Sequence, residues 1–198
     1  MNYLAHAVLS FGNPGILTGN MISDFVKGRK KYKYPLEIMH GIQLHRLIDN
    51  FTDHHPATKK AESFFRADYR LYSGPIIDIV YDHFLANDKN EFKTALELKK
   101  FADETYQSLE KSRHLFPHVF ASMFPFMKNQ DWLYHYHMVT GIQKSLHGLY
   151  HRALYMNPPE KAYHIFLHRY TELQSCYEEF FPQVKQYALE VLNNFNAH

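Results

Sequence analysis

The sequence predicts an all-α, single-domain multi-helix bundle. Three observations carry that expectation. Apolar residues recur at helical spacing almost throughout, strand-like alternation is scarce, and the eight glycines and nine prolines fall mostly between the periodic segments. A chain of 198 residues, 45% hydrophobic and 21% charged, has the length and balance of one globular domain, so a single domain over 1–198 is expected and neither disorder nor a membrane protein is indicated.

Taken in order, the periodicity places helices at 2–10, 15–27, 35–53, 56–67, 74–87, 90–113, 116–129, 132–155 and 159–195. The first is an apolar run interrupted by His6. In the second, Gly19 permits a close helix approach, and Asp24 stands near its end. Pro35, Pro56, Pro75 and Pro159 mark the first turns of the third, fourth, fifth and ninth helices, where a missing N–H has no partner to lose. The sixth, seventh and eighth rest on apolar spacing alone. Of their aromatic residues, Phe120, Phe124, Phe126 and Trp132 read as core in preference to a partner groove. Pro182 is expected to kink or split the last helix. There is no internal repeat, no low-complexity tract and no long heptad run.

Net charge is only +2, but Lys27, Arg29, Lys30, Lys31 and Lys33 crowd one short stretch with Tyr32 and Tyr34 between them. Such a run is either a solvated loop or a docking patch for an acidic partner or a phosphate. The whole-chain charge is too small for a nucleic-acid footprint, so no nucleic-acid partner is expected. The opening MNYLAHAVLSFG lacks a basic n-region, and no segment approaches the roughly 20 apolar residues of a membrane span. Cys176 is alone and cannot form an internal disulfide. A cytoplasmic protein without a membrane partner is therefore expected, and the sequon Asn50-Phe51-Thr52 is a coincidence.

The stretch GIQLHRLIDNFTDHHP sets polar residues into an otherwise apolar helix. His45 and Asp49 lie four apart, hence on one face one turn apart, and Asp53 extends the row. In GPIIDIVYDHFLAND the arrangement recurs: Asp78 and Asp82 are four apart, His83 follows, and the neighbours are apolar. Buried acids need compensation, and two on one face repel unless a cation lies between them. With His6 and Asp24 this gives seven candidates: His6, Asp24, His45, Asp49, Asp78, Asp82 and His83. Imidazole plus carboxylate suits Mn, Fe, Zn or Mg, with Mn favoured as oxygen ligands increase, and bundles build such sites from facing helices. A single His–Asp pair at this spacing is more often a structural hydrogen bond or capping pair; two pairs in apolar surroundings tilt the reading towards a metal.

The remaining histidines form pairs without an acid at ligand spacing: His147 with His151, His164 with His168, His135 with His137. They read as surface or aromatic-packing residues, with haem binding or zinc storage as the non-enzymatic alternative. No phosphate-cradling glycine loop, nucleophile elbow or H-E-x-x-H is present, and Cys176, beside Glu178 and Glu179, is a poor nucleophile.

Four segments in order, MNYLAHAVLS, GNMISDFVKG, GIQLHRLIDNFTDHHP and DIVYDHFLA, resemble the acyl carrier protein phosphodiesterase family, an all-helical branch of the HD phosphohydrolases. The likeness is dense from Met1 to Ala86, and GIQKSLHGLYHR, from Gly141 to Arg152, is a weaker match. Ser23 departs from the family's Gly or Ala before the aspartate, and no tryptophan follows DHFLA. The resemblance implies hydrolysis of holo-acyl carrier protein to the apo form with release of 4′-phosphopantetheine, using a divalent metal, Mn²⁺ first and Fe²⁺ or Mg²⁺ as alternatives. It implies that the seven candidates form the metal site, with Asp53 or Asp82 relaying protons and Arg46, Arg70 or Arg152 contacting phosphate. The basic run, represented by Lys27, Arg29, Lys30 and Lys31, would then steer an acidic carrier protein. Two alternatives stand beside this: a nucleotide or small-molecule phosphohydrolase, and a non-catalytic helical module that binds metal or a carrier protein.

Overall fold

The computed structural model describes residues 1–196, so residues 197–198 of the expected single domain lie outside the described residues. Several helices begin where a side chain satisfies a free amide of the first turn. Helix α1 (Tyr3–Val8) follows Asn2, and α2 (Pro14–Ile22) is capped by Asn13, whose side chain accepts from Gly15 and Ile16 amides at 2.9 and 3.0 Å. Helix α3 (Leu36–His54) starts one residue after Pro35, so that proline caps the helix and does not occupy its first turn. Helix α4 (Pro56–Tyr69) has proline at its first position behind a capping His55, and α5 (Ser73–Asn87) has Pro75 in its first turn.

The later elements depart more from expectation. Helix α6 (Ala95–Lys111) starts five residues later than predicted, because Thr94 caps it by accepting from the Glu97 amide at 3.2 Å while Asp88 closes a turn upstream. Helix α7 (His118–Asn129) is as expected. The predicted helix 132–155 is two elements, α8 (Trp132–His135) and α9 (Val139–Arg152). Gly141 packs so tightly on the His135 carbonyl that a Cβ would meet its oxygen at 2.0 Å, which turns the chain back between them. The last predicted helix also divides, into α10 (Pro159–His168) and α11 (Tyr170–Asn196), but the break falls at Arg169. Pro182 does not split α11. It and Glu178, whose carbonyl loses the helical bond, both lie on the exposed face where water can substitute. The second predicted helix stops at Ile22 and gives way to a short 3₁₀ turn, Ser23–Phe25; the basic run forms another, Gly28–Lys33.

Helix α5 is the axis of the bundle. Eleven of its fifteen residues are buried, as befits a helix apolar on nearly all sides, and α1, α4, α9 and α11 pack around it. Helices α2 and α3 cross with backbones in direct contact: a Cβ on Gly19 would meet the Ile38 carbonyl oxygen at 2.1 Å, and one on Gly41 the Ile16 oxygen at 2.3 Å. Phe120 and Phe124 are core, stacked edge-on against Phe116, whereas Phe126 is exposed and Trp132 half-buried. Among the described residues there is no strand, and no helix is long and apolar enough to cross a membrane.

Candidate metal centre

The face of α3 that turns towards α1 carries His45 and Asp49. Their four-residue spacing brings His45 Nε2 within 3.0 Å of Asp49 Oδ2. His6, from α1, stacks its ring on that of His45 with centroids 3.9 Å apart and faces Asp49 Oδ1 at 3.3 Å through Nε2. Asp24, on the 3₁₀ turn after α2, closes the group at 3.1 Å from His45 Nε2 and remains exposed to solvent. From α5, Asp78 meets the Met1 ammonium at 2.8 Å, and that ammonium also lies 3.6 Å from Asp49.

The tautomer of His6 follows from its neighbour Asn20. The Asn20 amide nitrogen donates to the His6 carbonyl at 3.1 Å and to Ser10 Oγ at 2.9 Å, which leaves its oxygen, 3.2 Å from His6 Nδ1, as an acceptor. Nδ1 must therefore carry the proton, and the Nε2 lone pair points at Asp49. Asn20 was not among the candidates read from the sequence. The signal was a buried amide in the apolar segment LTGNMI, which has to find partners.

Electrostatically the group is strained in favour of a cation. Burial, followed by the like charge of His45, pushes His6 down to about 4. Burial opposes charge on His45 too, but the bonds to Asp24 and Asp49 outweigh it and raise His45 to about 9. Asp49 is held well below the usual carboxylate range, since its hydrogen bond from His45 and the nearby Met1 ammonium charge override its burial. Burial works against the Met1 ammonium, yet Asp78 and Asp49 push it up to about 11. His6 Nε2 and Asp49 Oδ1 are buried without a hydrogen-bond partner, although they face each other. One ligand atom from each of His6, His45 and Asp49 can be chosen so that all lie within 4.8 Å of one another. Two imidazoles, a carboxylate and orphaned lone pairs aimed at one point are a donor set that fits a divalent ion.

The other candidate residues are placed differently. Asp82 is fully buried, and both its oxygens accept backbone amides of α1, Leu4 at 2.8 Å and Ala5 at 3.2 Å. Burial raises it to about 7. His83 points away from the centre, its Nδ1 at 2.8 Å from the Tyr136 carbonyl and its Nε2 at 3.0 Å from the Tyr170 hydroxyl. Asp82 and His83 thus lie outside the group that converges. Arg46 is exposed and donates to the Val26 carbonyl at 2.6 Å, which ties α3 to the strand of chain after Asp24. Asp53 and Arg70 line a neighbouring cleft that meets the centre over Pro75. Arg152, by contrast, lines the cavity of the centre itself, together with Tyr3, His6, Asp24, His45 and Asp78. Arg29 and Lys30 are exposed and Lys31 is half-buried on their 3₁₀ turn, which begins three residues after Phe25.

Fold and centre together define an all-helical protein with a His/Asp metal-type site built from side chains of several helices. The family model described as acyl carrier protein phosphodiesterase matches residues 1–184, and the chain belongs to that family. A relative named acyl carrier protein phosphodiesterase from Yersinia pestis is 30% identical over 188 residues, 95% of this chain and 97% of its own. Relatives of the same name from Enterobacter sp. (strain 638) and Photorhabdus laumondii are 28% and 27% identical, covering 93% and 95% of this chain and 95% of each of theirs. No solved structure matches the chain.

Proposed function

We propose that this chain is a divalent-metal-dependent phosphodiesterase, acting in the cytoplasm, that hydrolyses 4′-phosphopantetheine from holo-acyl carrier protein to leave the apo form. Family membership supports the reaction class. The observation that carries the metal is the convergence of His6, His45 and Asp49 with two orphaned buried atoms at its centre.

His6, His45 and Asp49 would hold the ion, with Asp24 and Asp78 beside them; Mn²⁺ is the first choice and Fe²⁺ or Mg²⁺ the alternatives. A divalent ion supplies Lewis-acid charge and acidifies water at such a site. In the reaction a water oxygen bonds to phosphorus, the bond from phosphorus to the carrier's serine oxygen breaks, and that oxygen leaves with a proton. Asp24, exposed at the mouth beside His45, would accept the water's proton. That role suits Asp24 better than Asp82, whose oxygens are both occupied by α1 amides. Arg152 on the cavity wall would contact a phosphate oxygen, and Arg70 across Pro75 would meet the carrier. Lys27, Arg29, Lys30 and Lys31 supply positive potential beside the mouth for an acidic carrier surface.

The test is intact-mass spectrometry of holo-acyl carrier protein after incubation with the purified protein and Mn²⁺. The expected result is loss of the phosphopantetheine mass, abolished by a chelator and by Asp49→Ala. A folded, metal-loaded protein that leaves the carrier intact would refute this reaction and turn attention to small phosphoesters.

A further inference from the structure

Beside the metal centre lies a second, larger cavity of about 540 Å³, walled by α1, α7, α8 and α9. The two are contiguous: Asn2, Tyr3 and Arg152 line both the larger cavity and the one of about 230 Å³ that contains His6, Asp24 and His45. Its walls alternate in character. Tyr3, Met123 and Trp132 form an apolar side, with the Tyr3 and Trp132 rings 6.4 Å apart, while Asn2, Gln130 and Ser145 offer amide and hydroxyl groups. Two cations stand on α9, Lys144 and Arg152, and among the described residues neither is paired with a carboxylate. Arg152 donates Nε to the Gly148 carbonyl at 3.2 Å, which fixes the guanidinium at the junction and leaves its terminal nitrogens for a ligand.

We propose that this cavity is the subsite for the phosphopantetheine arm, with Arg152 taking the phosphate where the two cavities meet. The proposal rests on the phosphodiesterase reading above. The arm is a slender chain with a phosphate at one end, then a branched dimethyl carbon beside a hydroxyl, two amides and a terminal thiol. A cation at the junction suits the anionic phosphodiester end, aromatic and thioether surface suits the dimethyl carbon, and Asn2, Gln130 and Ser145 suit the amides. The volume lies within the roughly 300–1,000 Å³ that small-molecule pockets occupy. Holding the arm here would leave the diester phosphorus over the metal centre with the carrier's serine directed outward, past Asp24. The enzyme would then recognise the arm that it releases as well as its carrier.

Trp132 is the only tryptophan, so its emission reports on the cavity alone. In protein without added metal, titration with 4′-phosphopantetheine should change that emission saturably, and inorganic phosphate at equal concentration should not. Gly148→Phe should abolish the response, since nothing lies within 4 Å of a Cβ at that position and the ring has room to enter the cavity. Ser145→Phe provides the same obstruction from the next wall position should the first variant fold poorly. With holo-carrier as substrate, both variants should raise KM by about tenfold or more, the scale at which a preformed pocket discriminates. Cleavage by the wild type with unresponsive Trp132 emission and unaltered variant KM would overturn the subsite alone. No cleavage by the wild type under any metal would bring down the activity reading and this assignment with it.

Discussion

Helices α3 and α5 carry the same polar signature and use it in opposite ways. Each sets acids or an acid and a histidine four residues apart in apolar surroundings. On α3, His45 and Asp49 meet His6 and Asp24 across a gap and keep buried atoms unsatisfied. On α5, Asp82 commits both oxygens to the first amides of α1, and His83 commits both ring nitrogens to Tyr136 and Tyr170. Asp78 stands between the two uses, bonded to the Met1 ammonium. Four-residue spacing fixes which face of a helix a polar row occupies; the neighbour opposite fixes whether that row becomes a reactive site or a scaffold.

Mutating both rows tests this contrast most directly. His45→Ala or Asp49→Ala should lower turnover of holo-carrier per folded molecule by at least about 10²-fold, since even outer-sphere changes at metal sites cost 10–100-fold. Asp82→Ala should do the reverse. It leaves two buried α1 amides without an acceptor and should cost about 2–4 kcal/mol in a denaturant titration, with turnover per folded molecule much less affected. If Asp82→Ala instead kept its stability and lost all turnover, the division of labour between α3 and α5 would be wrong.

Proton linkage separates the rows in a second way, best read in chelator-treated protein. His45 is raised from 6.5 to about 9, so its contribution to stability is fully present below about pH 6.5 and is lost as pH rises towards 9. Asp82 is raised from 3.8 to about 7, so ionising it costs stability in a lower window, between those two values. His6, lowered from 6.5 to about 4, works the other way over most of that window, so the clear fall is the upper one, and His45→Gln should remove it between about pH 6.5 and 8, below the fall that the Met1 ammonium adds. A profile unchanged by His45→Gln would show that the histidine is not held protonated by Asp24 and Asp49. The smallest effect is expected from replacing Arg29, Lys30 and Lys31 by Ala, which should slow association with the carrier several-fold at low salt and weaken its salt dependence, with kcat unchanged.

The bundle was legible because apolar periodicity and first-turn prolines locate most helices directly. The breaks at Tyr136–Met138 and at Arg169 were not, since neither carries a proline and the first depends on Gly141 meeting a carbonyl six residues earlier. At the centre, His6, Asp24, His45 and Asp49 stood out as polar residues on apolar faces. Asp82 and His83 gave the same signal for a different reason: their partners are backbone groups 77, 78 and 53 residues distant and a tyrosine hydroxyl 87 residues distant, which spacing within one helix cannot reveal. The wall of the adjoining cavity was also hidden, because Tyr3, Trp132 and Lys144 come from separate helices and none is unusual alone.

The contact of Gly19 with Gly41 has a mechanical consequence. Most helix pairs are separated by a compliant layer of side chains, which can repack to absorb a small change. Here that layer is missing, so the joint between α2 and α3 is stiff to compression and any added methyl group must displace a whole helix. Asp24 lies just beyond one helix and His45 one turn along the other, and metal ligation tolerates errors of only about 0.2 Å. The alignment of the centre is therefore gauged by two positions that contribute no side chain at all.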